Sequence, residues 1–237
     1  MQALRPLKGS FCSICGEILA SPLFAGQADP LCGPCQGERP PFERAVAFGS
    51  YEGGLRDLVH LLKFEHVRPV AGVLGRLLAE AIERIDGNLP DGIIYVVPVP
   101  LFGRKQAQRG FNQAERIARA ALQQLARPDR FQLGAGVLVR RRETMSQIGL
   151  TRHQRHENLR GAFRVTGQIE GRNILLVDDV FTTGTTVSEC ARVLRRAGAA
   201  GVWVVTVART LKIIEALALH EDFAQEHEGR PVMAVNG

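Results

Sequence analysis

The sequence predicts an α/β protein in which a parallel sheet is flanked by helices and preceded by a small zinc ribbon. The first observation behind this prediction is an apolar run at residues 174–177, followed at once by Asp178 and Asp179. Such a run is typical of a strand buried on both faces, and the two acids predict that its carboxyl end opens into a polar loop. The second observation is a pair of Cys-x2-Cys sequences near the start of the chain. These indicate a metal-stapled segment in front of the sheet.

The polar segment behind that strand has the composition of a phosphate-binding loop. It consists of small hydroxyl residues and one glycine, in the order Thr182, Thr183, Gly184, Thr185, Thr186. A helix is expected to begin here, because Thr186 and Glu189 have the spacing of a capping box and the helical pattern continues to Ala197. The unpaired N–H groups of a first helical turn favour a phosphate group.

Asp178 and Asp179, in front of the same loop, add a second binding chemistry. An ionised carboxylate is only an acceptor, so it suits ribose hydroxyls or the waters of Mg²⁺. Carboxylates next to a phosphate loop therefore indicate a ribose 5-phosphate as the ligand. The alternative is that the two acids are merely the solvated end of a strand.

The remaining elements follow from periodicity and helix signals. Further strands are predicted at 45–48, 92–97 and 202–208, and apolar residues at helical spacing predict helices at 55–62 and 70–81. Asn112 is expected to cap a helix that runs to about Gln124. We expect three parts, which are a zinc ribbon at 1–39, the main domain at 42–210, and a C-terminal helix with a loose tail at 211–237.

Composition and charge restrict the partners. The chain is 45% hydrophobic and 23% charged, as is usual for a globular protein, and it carries a formal charge of +6. With no apolar run near the roughly 18 residues of a membrane span and no leader pattern, we expect no membrane span, no signal peptide and a cytoplasmic location. Residues 101–160 hold 13 Lys and Arg against 4 Asp and Glu, an excess of 9. This stretch is expected to face an anionic partner.

The cysteine spacing predicts a structural metal site. Cys12 and Cys15 form one pair, Cys32 and Cys35 form the other, and 16 residues separate them. Two such pairs can place four thiolates around one Zn²⁺, and disulfides are disfavoured in a cytoplasmic chain. Because four sulfur ligands close the coordination sphere, the site is expected to fold the segment and to do no chemistry. The fifth cysteine, Cys190, is expected to be a small buried hydrophobe.

The segment 177–186, VDDVFTTGTT, resembles the phosphoribosyl pyrophosphate (PRPP) motif of type I phosphoribosyltransferases. Within that superfamily the whole chain resembles the ComF family, whose members are linked to natural competence and the use of imported DNA. The resemblance implies a type I phosphoribosyltransferase-like fold and PRPP with Mg²⁺ as the ligand. It implies that Asp178 and Asp179 hold the ribose at the catalytic position. The PRPP-binding loop residues that it implies are Thr182, Thr183, Gly184, Thr185 and Thr186.

Other contacts are carried over from the same resemblance. The PVP and RGFNQ sequences within 98–113 match the family's pyrophosphate loop, which makes Arg104, Arg109 and Gly110 diphosphate contacts. Lys63, in a Lys-Phe pair typical of the family, is a further PRPP contact. The basic stretch at 140–158 resembles a flexible hood that closes over PRPP. Its candidate residues are Arg140, Gln147, Arg152 and Arg155. For all these cations, a solvated surface charge is the alternative.

Three functions from different classes remain open at this point, because fold alone does not choose among them. The chain is a phosphoribosyltransferase of unknown acceptor, a non-catalytic PRPP sensor, or a protein that handles single-stranded DNA through residues 104–160. The sequence shows no evident nucleobase-recognition segment. The family resemblance implies a role in natural competence or nucleotide-linked metabolism, with competence-machinery proteins as partners.

Overall fold

The computed structural model describes residues 4–19, 28–65, 67–143 and 152–211. The helices are α1 Gly33–Gly37, α2 Gly53–Lys63, α3 Val70–Asp86, α4 Gly103–Arg109, α5 Gln113–Leu122, α6 Arg152–Leu159 and α7 Thr185–Arg196. The strands are β1 Ala45–Ser50, β2 Ile94–Pro98, β3 Phe131–Leu133, β4 Leu138–Arg140, β5 Phe163–Val165, β6 Asn173–Phe181 and β7 Gly201–Arg209.

A parallel sheet forms the centre of the molecule, with strands in the order β1-β7-β6-β2-β3. Strands β4 and β5 form a separate antiparallel pair. Strands β2 and β6 are neighbours, but the chain leaves β2 towards β3 and leaves β6 towards β7, in opposite directions. The carboxyl ends of β2 and β6 therefore flank a topological switch point, the place where open α/β sheets bind ligands.

Strand β6 is buried on both faces, as predicted. Ile174 and Leu176 belong to one apolar cluster, whereas Leu175 and Val177 belong to the other, because side chains alternate along a strand. All four side chains are fully buried. Helices α2, α3 and α5 cover the side of Leu175. Helix α7 covers the side of Ile174, together with the N-terminal segment that holds Cys12, Cys15, Cys32 and Cys35, called the cysteine segment below. Because both faces of the sheet are covered, its polar groups are accessible at the carboxyl edge.

The cysteine segment packs directly against this sheet. The backbone N–H of Ala45 in β1 donates to the carbonyl of Ile14 at 2.7 Å. Phe42, just before β1, meets the ring of Phe181 edge-on at a centroid distance of 6.3 Å. The apolar side chains of the segment share one cluster with the inner face of α7. The predicted boundary between a zinc ribbon that ends at residue 39 and a main domain that begins at residue 42 stays a prediction.

Two local predictions at the end of β6 are wrong. The strand does not stop at Val177 but continues to Phe181, so that the two acids are strand residues. Helix α7 begins at Thr185 with Gly184 as its N-cap, and no side chain caps it. The predicted capping box fails because Gly184 turns the chain into the helix before Thr186 is reached. Glu189 instead accepts from the backbone N–H of Gly161 and pairs with Arg192.

The segment after β2 also differs from the prediction. Residues expected to form a basic loop form the short helix α4, which ends at Gly110 in the left-handed conformation. Asn112 then caps α5 as predicted, its side chain accepting from the N–H of Ala114 at 3.0 Å. The predicted C-terminal helix and tail lie outside the described residues, apart from Leu211. Within the described ranges, no helix has the length and apolar character needed to cross a membrane.

Candidate ligand site and metal centre

Asp178 and Asp179 lie near the end of β6, at the switch point, and adjacent strand residues direct their side chains to opposite sides. Asp179 is only 4% exposed. Its Oδ1 accepts a hydrogen bond from Lys63 Nζ at 2.7 Å, whereas its Oδ2 is buried without a hydrogen-bond partner among the described residues. A buried carboxylate oxygen normally has a donor, so this oxygen is available to a ligand.

Lys63 is the last residue of helix α2, and its Nζ reaches the carboxylate of Asp179, 116 residues further along the chain. Burial opposes the charge of its ammonium group, but attraction to Asp179 and the hydrogen bond between them outweigh burial, so the pKa of Lys63 is raised. Its side chain is only 20% exposed. Lys63 is therefore not a solvated helix-end lysine, and its predicted contact with PRPP stays a prediction.

The carboxyl group of Asp178 has a different environment from that of Asp179. Burial raises the pKa of Asp178 to about 7, assisted by the negative charge of Asp179 and opposed by Lys63. Its Oδ1 accepts from the backbone N–H of Asp179 at 2.9 Å. A carboxyl group accepts two hydrogen bonds from a ribose most readily when it is ionised. The capacity of Asp178 as an acceptor therefore rises as the pH passes through 7.

The predicted phosphate loop follows directly behind the acids. Gly184 has φ of 75°, and a Cβ at this position would lie 2.7 Å from the ring of Phe181. Only glycine fits such a left-handed position in close contact with a ring. The hydroxyls of Thr183 and Thr185 lie 2.8 Å apart at the start of α7. Loop hydroxyls and a helix N-terminus thus converge, as a phosphate group requires.

On the β2 side, Arg109 is a cation whose charge interacts with this arrangement. Its guanidinium donates to Gln113 Oε1 at 2.7 Å. Burial lowers the pKa of Arg109, and attraction to Asp179 opposes this effect. The segment is anchored by Asn112, which donates to the carbonyl of Val99 at 3.0 Å. Arg109 and the free oxygen of Asp179 therefore belong to one charged region.

The other two predicted diphosphate contacts are placed less directly. The side chain of Arg104 is 82% exposed and lies 4.0 Å from Glu143. The backbone N–H of Gly110 donates to the carbonyl of Gln106 at 2.7 Å, closing helix α4. This N–H is already committed to the helix end, so the structure gives Gly110 a conformational role in the turn.

Of the predicted hood residues, Arg140 is described in full. Burial lowers the pKa of Arg140, and attraction to Cys190 and Asp178 opposes this. A β-bridge pairs Arg140 with Phe102, so the start of α4 and the end of β4 lie side by side. Gln147 lies outside the described residues, and the side chains of Arg152 and Arg155 in α6 do so as well. Cys190 is fully buried, as predicted.

The four cysteines of the N-terminal segment converge. Their sulfur atoms all lie within 4.8 Å of one another, and Cys15 Sγ is 3.6 Å from Cys32 Sγ. In a tetrahedron with Zn–S bonds of about 2.3 Å, two sulfurs are roughly 3.8 Å apart. None of the four forms a disulfide. The donor set therefore fits one tetrahedral metal ion.

Sequence reasoning missed the connection between the two sites, which is made by Arg209. This last residue of β7 is only 2% exposed, and its guanidinium donates to the carbonyl of Cys15 at 2.6 Å and to Glu17 at 2.7 Å. The same guanidinium lies 5.1 Å from the ring centre of Phe181, against which Gly184 packs. The sequence showed only an arginine at the end of an apolar strand. A cleft of about 880 Å³, lined by Cys15, Cys32, Cys35 and the Thr182–Thr185 loop, opens beside this contact.

A profile of the phosphoribosyl transferase domain matches residues 75–218. With a parallel sheet flanked by helices and a hydroxyl-rich loop at its carboxyl edge, this match defines the class of protein, one with a type I phosphoribosyltransferase fold. "DNA utilization protein YhgH" of Escherichia coli (strain K12) is 40% identical over 184 residues, which is 76% of this chain and 78% of that protein. "Competence protein F" of Haemophilus influenzae is 31% identical over 220 residues, 87% of this chain and 93% of that protein. The chain belongs to the ComF family.

The solved structures that this chain matches include a phosphoribosyltransferase from Corynebacterium diphtheriae. It is 22% identical and covers 73% of this chain and 87% of that chain, with a TM-score of 0.36. A hypoxanthine-guanine phosphoribosyltransferase from Bacillus anthracis is 14% identical and covers 60% of this chain and 68% of that chain, also with a TM-score of 0.36. The predicted family and fold class are thus confirmed by the profile and the ComF relatives.

Proposed function

We propose that this ComF-family protein binds PRPP with Mg²⁺ at the carboxyl edge of its sheet, as part of the use of DNA or of nucleotide-linked metabolism. The observation that carries the proposal is the Oδ2 of Asp179, which has no hydrogen-bond partner in the part of the chain that the structure describes and lies beside Lys63, directly in front of the hydroxyl loop. A ligand with ribose hydroxyls and a 5′-phosphate satisfies both features at once. The names of the relatives, which refer to DNA utilization and competence, support the biological setting.

Each part of PRPP has a counterpart among the described residues. Asp178 and Asp179 accept from the ribose hydroxyls, and the Thr183 and Thr185 hydroxyls with the start of α7 take the 5′-phosphate. Lys63 and Arg109 provide positive charge for the diphosphate. The carboxylate oxygens of Asp178 and Asp179 would also hold a hard cation, and Mg²⁺ bound there would supply positive charge that neutralises the diphosphate.

The same arrangement serves a transferase or a sensor. In a transfer reaction, negative charge grows on the departing diphosphate, where Lys63 and Arg109 stabilise it. A sensor needs the same binding contacts without turnover. Release of pyrophosphate in the presence of an acceptor therefore distinguishes the transferase, whereas binding alone does not.

Titration calorimetry with PRPP, with and without Mg²⁺, tests the proposal. Wild-type protein is expected to bind in a Mg²⁺-dependent manner. Gly184→Ala is expected to lose about 10-fold or more in affinity, because the new Cβ meets Phe181 at 2.7 Å and strains a left-handed residue. Gly136→Ala is the matched control, since Gly136 has φ of 80° but open space around its Cβ position. It is expected to lose stability without losing affinity.

Two results would contradict this proposal. One is no Mg²⁺-dependent heat with PRPP in folded wild-type protein. The other is an equal affinity of the Gly184→Ala variant and the wild type, which would exclude the Thr182–Thr186 loop from the site.

The four-cysteine cluster is proposed to hold one structural Zn²⁺, since four sulfurs at tetrahedral separations close the coordination sphere. Reduced thiols of this kind suit the cytoplasm, which we propose as the location. Proteins of the competence machinery are the partners proposed on the basis of the relatives' names.

A second candidate function, binding of single-stranded DNA, is favoured by the juxtaposition of two basic runs. The bridge between Phe102 and Arg140 brings Arg104 and Lys105 next to Arg141 and Arg142, all four of which are exposed. The cations are therefore gathered on one surface instead of being spread along the chain. Such a surface attracts a phosphate backbone without reading its sequence.

This second function predicts weak binding that falls steeply with salt. The slope of log K against log salt counts contacts at roughly 0.7 per phosphate on a single strand. Lys105→Ala with Arg141→Ala is thus expected to reduce the slope by about 1.4, while Arg196→Ala, an exposed arginine at the end of α7, is expected to leave it unchanged. Fluorescence anisotropy with labelled oligonucleotides measures this. No binding at about 50 mM salt, the low-salt end of this dependence, removes the candidate.

A further inference from the structure

Arg209 is a buried cation at the contact between the cysteine segment and the central sheet. Its Nη1 donates to the carbonyl of Cys15 and its Nη2 donates to Glu17. Its Nε is buried and has no hydrogen-bond partner among the residues that the structure describes. Because an unpaired donor on a buried charged group is costly, the guanidinium depends on the two partners that it has. These two partners therefore determine where the guanidinium lies.

One of the two partners belongs to the metal centre. Cys15 is a member of the four-sulfur cluster, so coordination of its Sγ would fix the backbone that carries its carbonyl. The next residue, Gly16, packs so tightly that a Cβ there would lie 2.6 Å from the carbonyl oxygen of Ala45 and 3.2 Å from Nη1 of Arg209. A displacement of this turn therefore cannot leave the guanidinium of Arg209 unchanged.

On its other side, the same guanidinium lies against the ring on which the phosphate loop packs. Arg209 and Phe181 are opposite each other in the pairing of β7 with β6, and the guanidinium carbon lies 5.1 Å from the ring centre. Phe42, from the segment behind the second cysteine pair, meets the same ring edge-on. A Cβ at Gly184 would lie 2.7 Å from this ring. The position of the ring therefore sets the position of the turn that begins α7 at Thr185.

We infer that Arg209 is a positioning residue that couples occupancy of the metal centre to phosphate binding by the loop at 182–186. This inference rests on the proposed function and gives the metal centre a role beyond the folding of its own segment. The contacts lead from the carbonyl of Cys15, through the guanidinium of Arg209 and the ring of Phe181, to Gly184. Coupling between two binding sites is reciprocal, so a ligand at the loop strengthens metal binding by the same factor by which the metal strengthens ligand binding.

Competition with a fluorescent chelator for Zn²⁺ measures this coupling in the zinc-loaded protein, with Mg²⁺ present throughout and PRPP either absent or saturating. Wild-type protein is expected to hold zinc about 5-fold more tightly with PRPP, at the low end of usual coupling between sites. Arg209→Met keeps an apolar stem without the guanidinium, and its zinc affinity is expected not to respond to PRPP. Zinc taken by PRPP itself would affect both proteins equally. A merely structural role of Arg209 would lower stability without making zinc affinity depend on PRPP.

Arg172→Met is the matched control. The guanidinium carbon of Arg172 lies 4.0 Å from the ring centre of Tyr95, just before β6, at the opposite edge of the sheet. This variant also removes a guanidinium from an aromatic ring, and it is expected to keep the wild-type response to PRPP. Glu17→Gln decides the matter if Arg209→Met does not fold, because it keeps Arg209 and removes the negative charge beside it. Its response to PRPP is expected to be smaller than that of the wild type.

The outcomes separate this inference from the proposed function. If calorimetry shows that folded wild-type protein does not bind PRPP with Mg²⁺, both fall together. If PRPP binds but the zinc affinity of the wild type does not change, the coupling alone is overturned. The same holds if Arg209→Met, or Glu17→Gln in its place, responds to PRPP as strongly as the wild type does.

Discussion

Asp179→Asn is expected to reduce Mg²⁺-dependent PRPP affinity by about 10- to 100-fold, since hydrogen bonds to a charged acceptor are worth about 1.5–3 kcal/mol. It is also expected to lower the free energy of unfolding by about 3 kcal/mol, the low end for breaking a buried ion pair. The stability loss arises because Lys63, only 20% exposed, is left without its counter-charge. Calorimetry and urea unfolding measure the two effects.

A double-mutant cycle with Lys63→Met tests the physical cause of this loss. If the ion pair is responsible, the double variant is expected to lose less stability than the sum of the two single variants. Additive losses would mean that Asp179 and Lys63 act separately. An unchanged PRPP affinity in Asp179→Asn would mean that the carboxylate is purely structural.

Asp178→Asn provides the contrast in sign. Because the folded-state pKa of Asp178 is about 7, above its ordinary value of 3.8, its carboxyl favours the folded state most below pH 4 and loses this contribution as the pH rises through 7. The neutral amide removes that loss. The variant is therefore expected to unfold at a higher temperature than the wild type at pH 8 and at a similar temperature near pH 4. A destabilised variant at pH 8 would contradict the assigned cause.

Removal of zinc is expected to have the largest effect on stability. A closed four-thiolate site holds Zn²⁺ with an apparent binding free energy on the order of 10 kcal/mol. The protein is expected to carry one zinc per chain, and Cys15→Ser is expected to lose the zinc and lower the melting temperature. We expect this loss to reach the central sheet as well, because the buried guanidinium of Arg209 at the end of β7 would lose its hydrogen bonds to Cys15 and Glu17.

Cys190→Ala is the matched control for the metal prediction. Cys190 is the remaining cysteine, fully buried against the sheet and not a member of the four-sulfur cluster. This variant is expected to retain one zinc per chain while losing some packing energy. Elemental analysis decides the matter. Zinc-free protein with intact thiols, or a disulfide between the two pairs, would show that the cluster is not a zinc site.

The features that the sequence could predict depend on short-range patterns. The apolar run of β6, the Asn112 cap and the cysteine spacing each lie within a few residues or a simple repeat, so the physics is local. The wrong local predictions lie where the backbone conformation of a single residue determines where a helix begins. Gly184 is the example, because its left-handed conformation starts α7 before Thr186 is reached. The helix α4 was mistaken for a loop because glycines lie at both of its ends.

The long-range contacts of the site could not be predicted in this way. Lys63 and Asp179 are 116 residues apart, and Arg209 and Cys15 are 194 residues apart. No periodicity links residues at such separations, and only the tertiary fold brings them together. For the same reason, the sequence could not predict that the guanidinium of Arg109 lies 5.8 Å from the ring centre of Phe64.

The strand order also sets a sequence of events during synthesis. The neighbour of β1 in the sheet is β7, with Ala45 opposite Val204, so a strand made early stays unpaired until the last described element has been made. Pairings this distant are slow steps in folding. One contact of the cysteine segment also has to wait, because the guanidinium that donates to the carbonyl of Cys15 belongs to Arg209, at the end of β7. Both cysteine pairs lie before residue 36, so metal capture can be complete while the rest of the chain is still growing. A nascent chain halted before β7 would expose β1 and one edge of β6, surfaces on which unpaired strands associate with other chains.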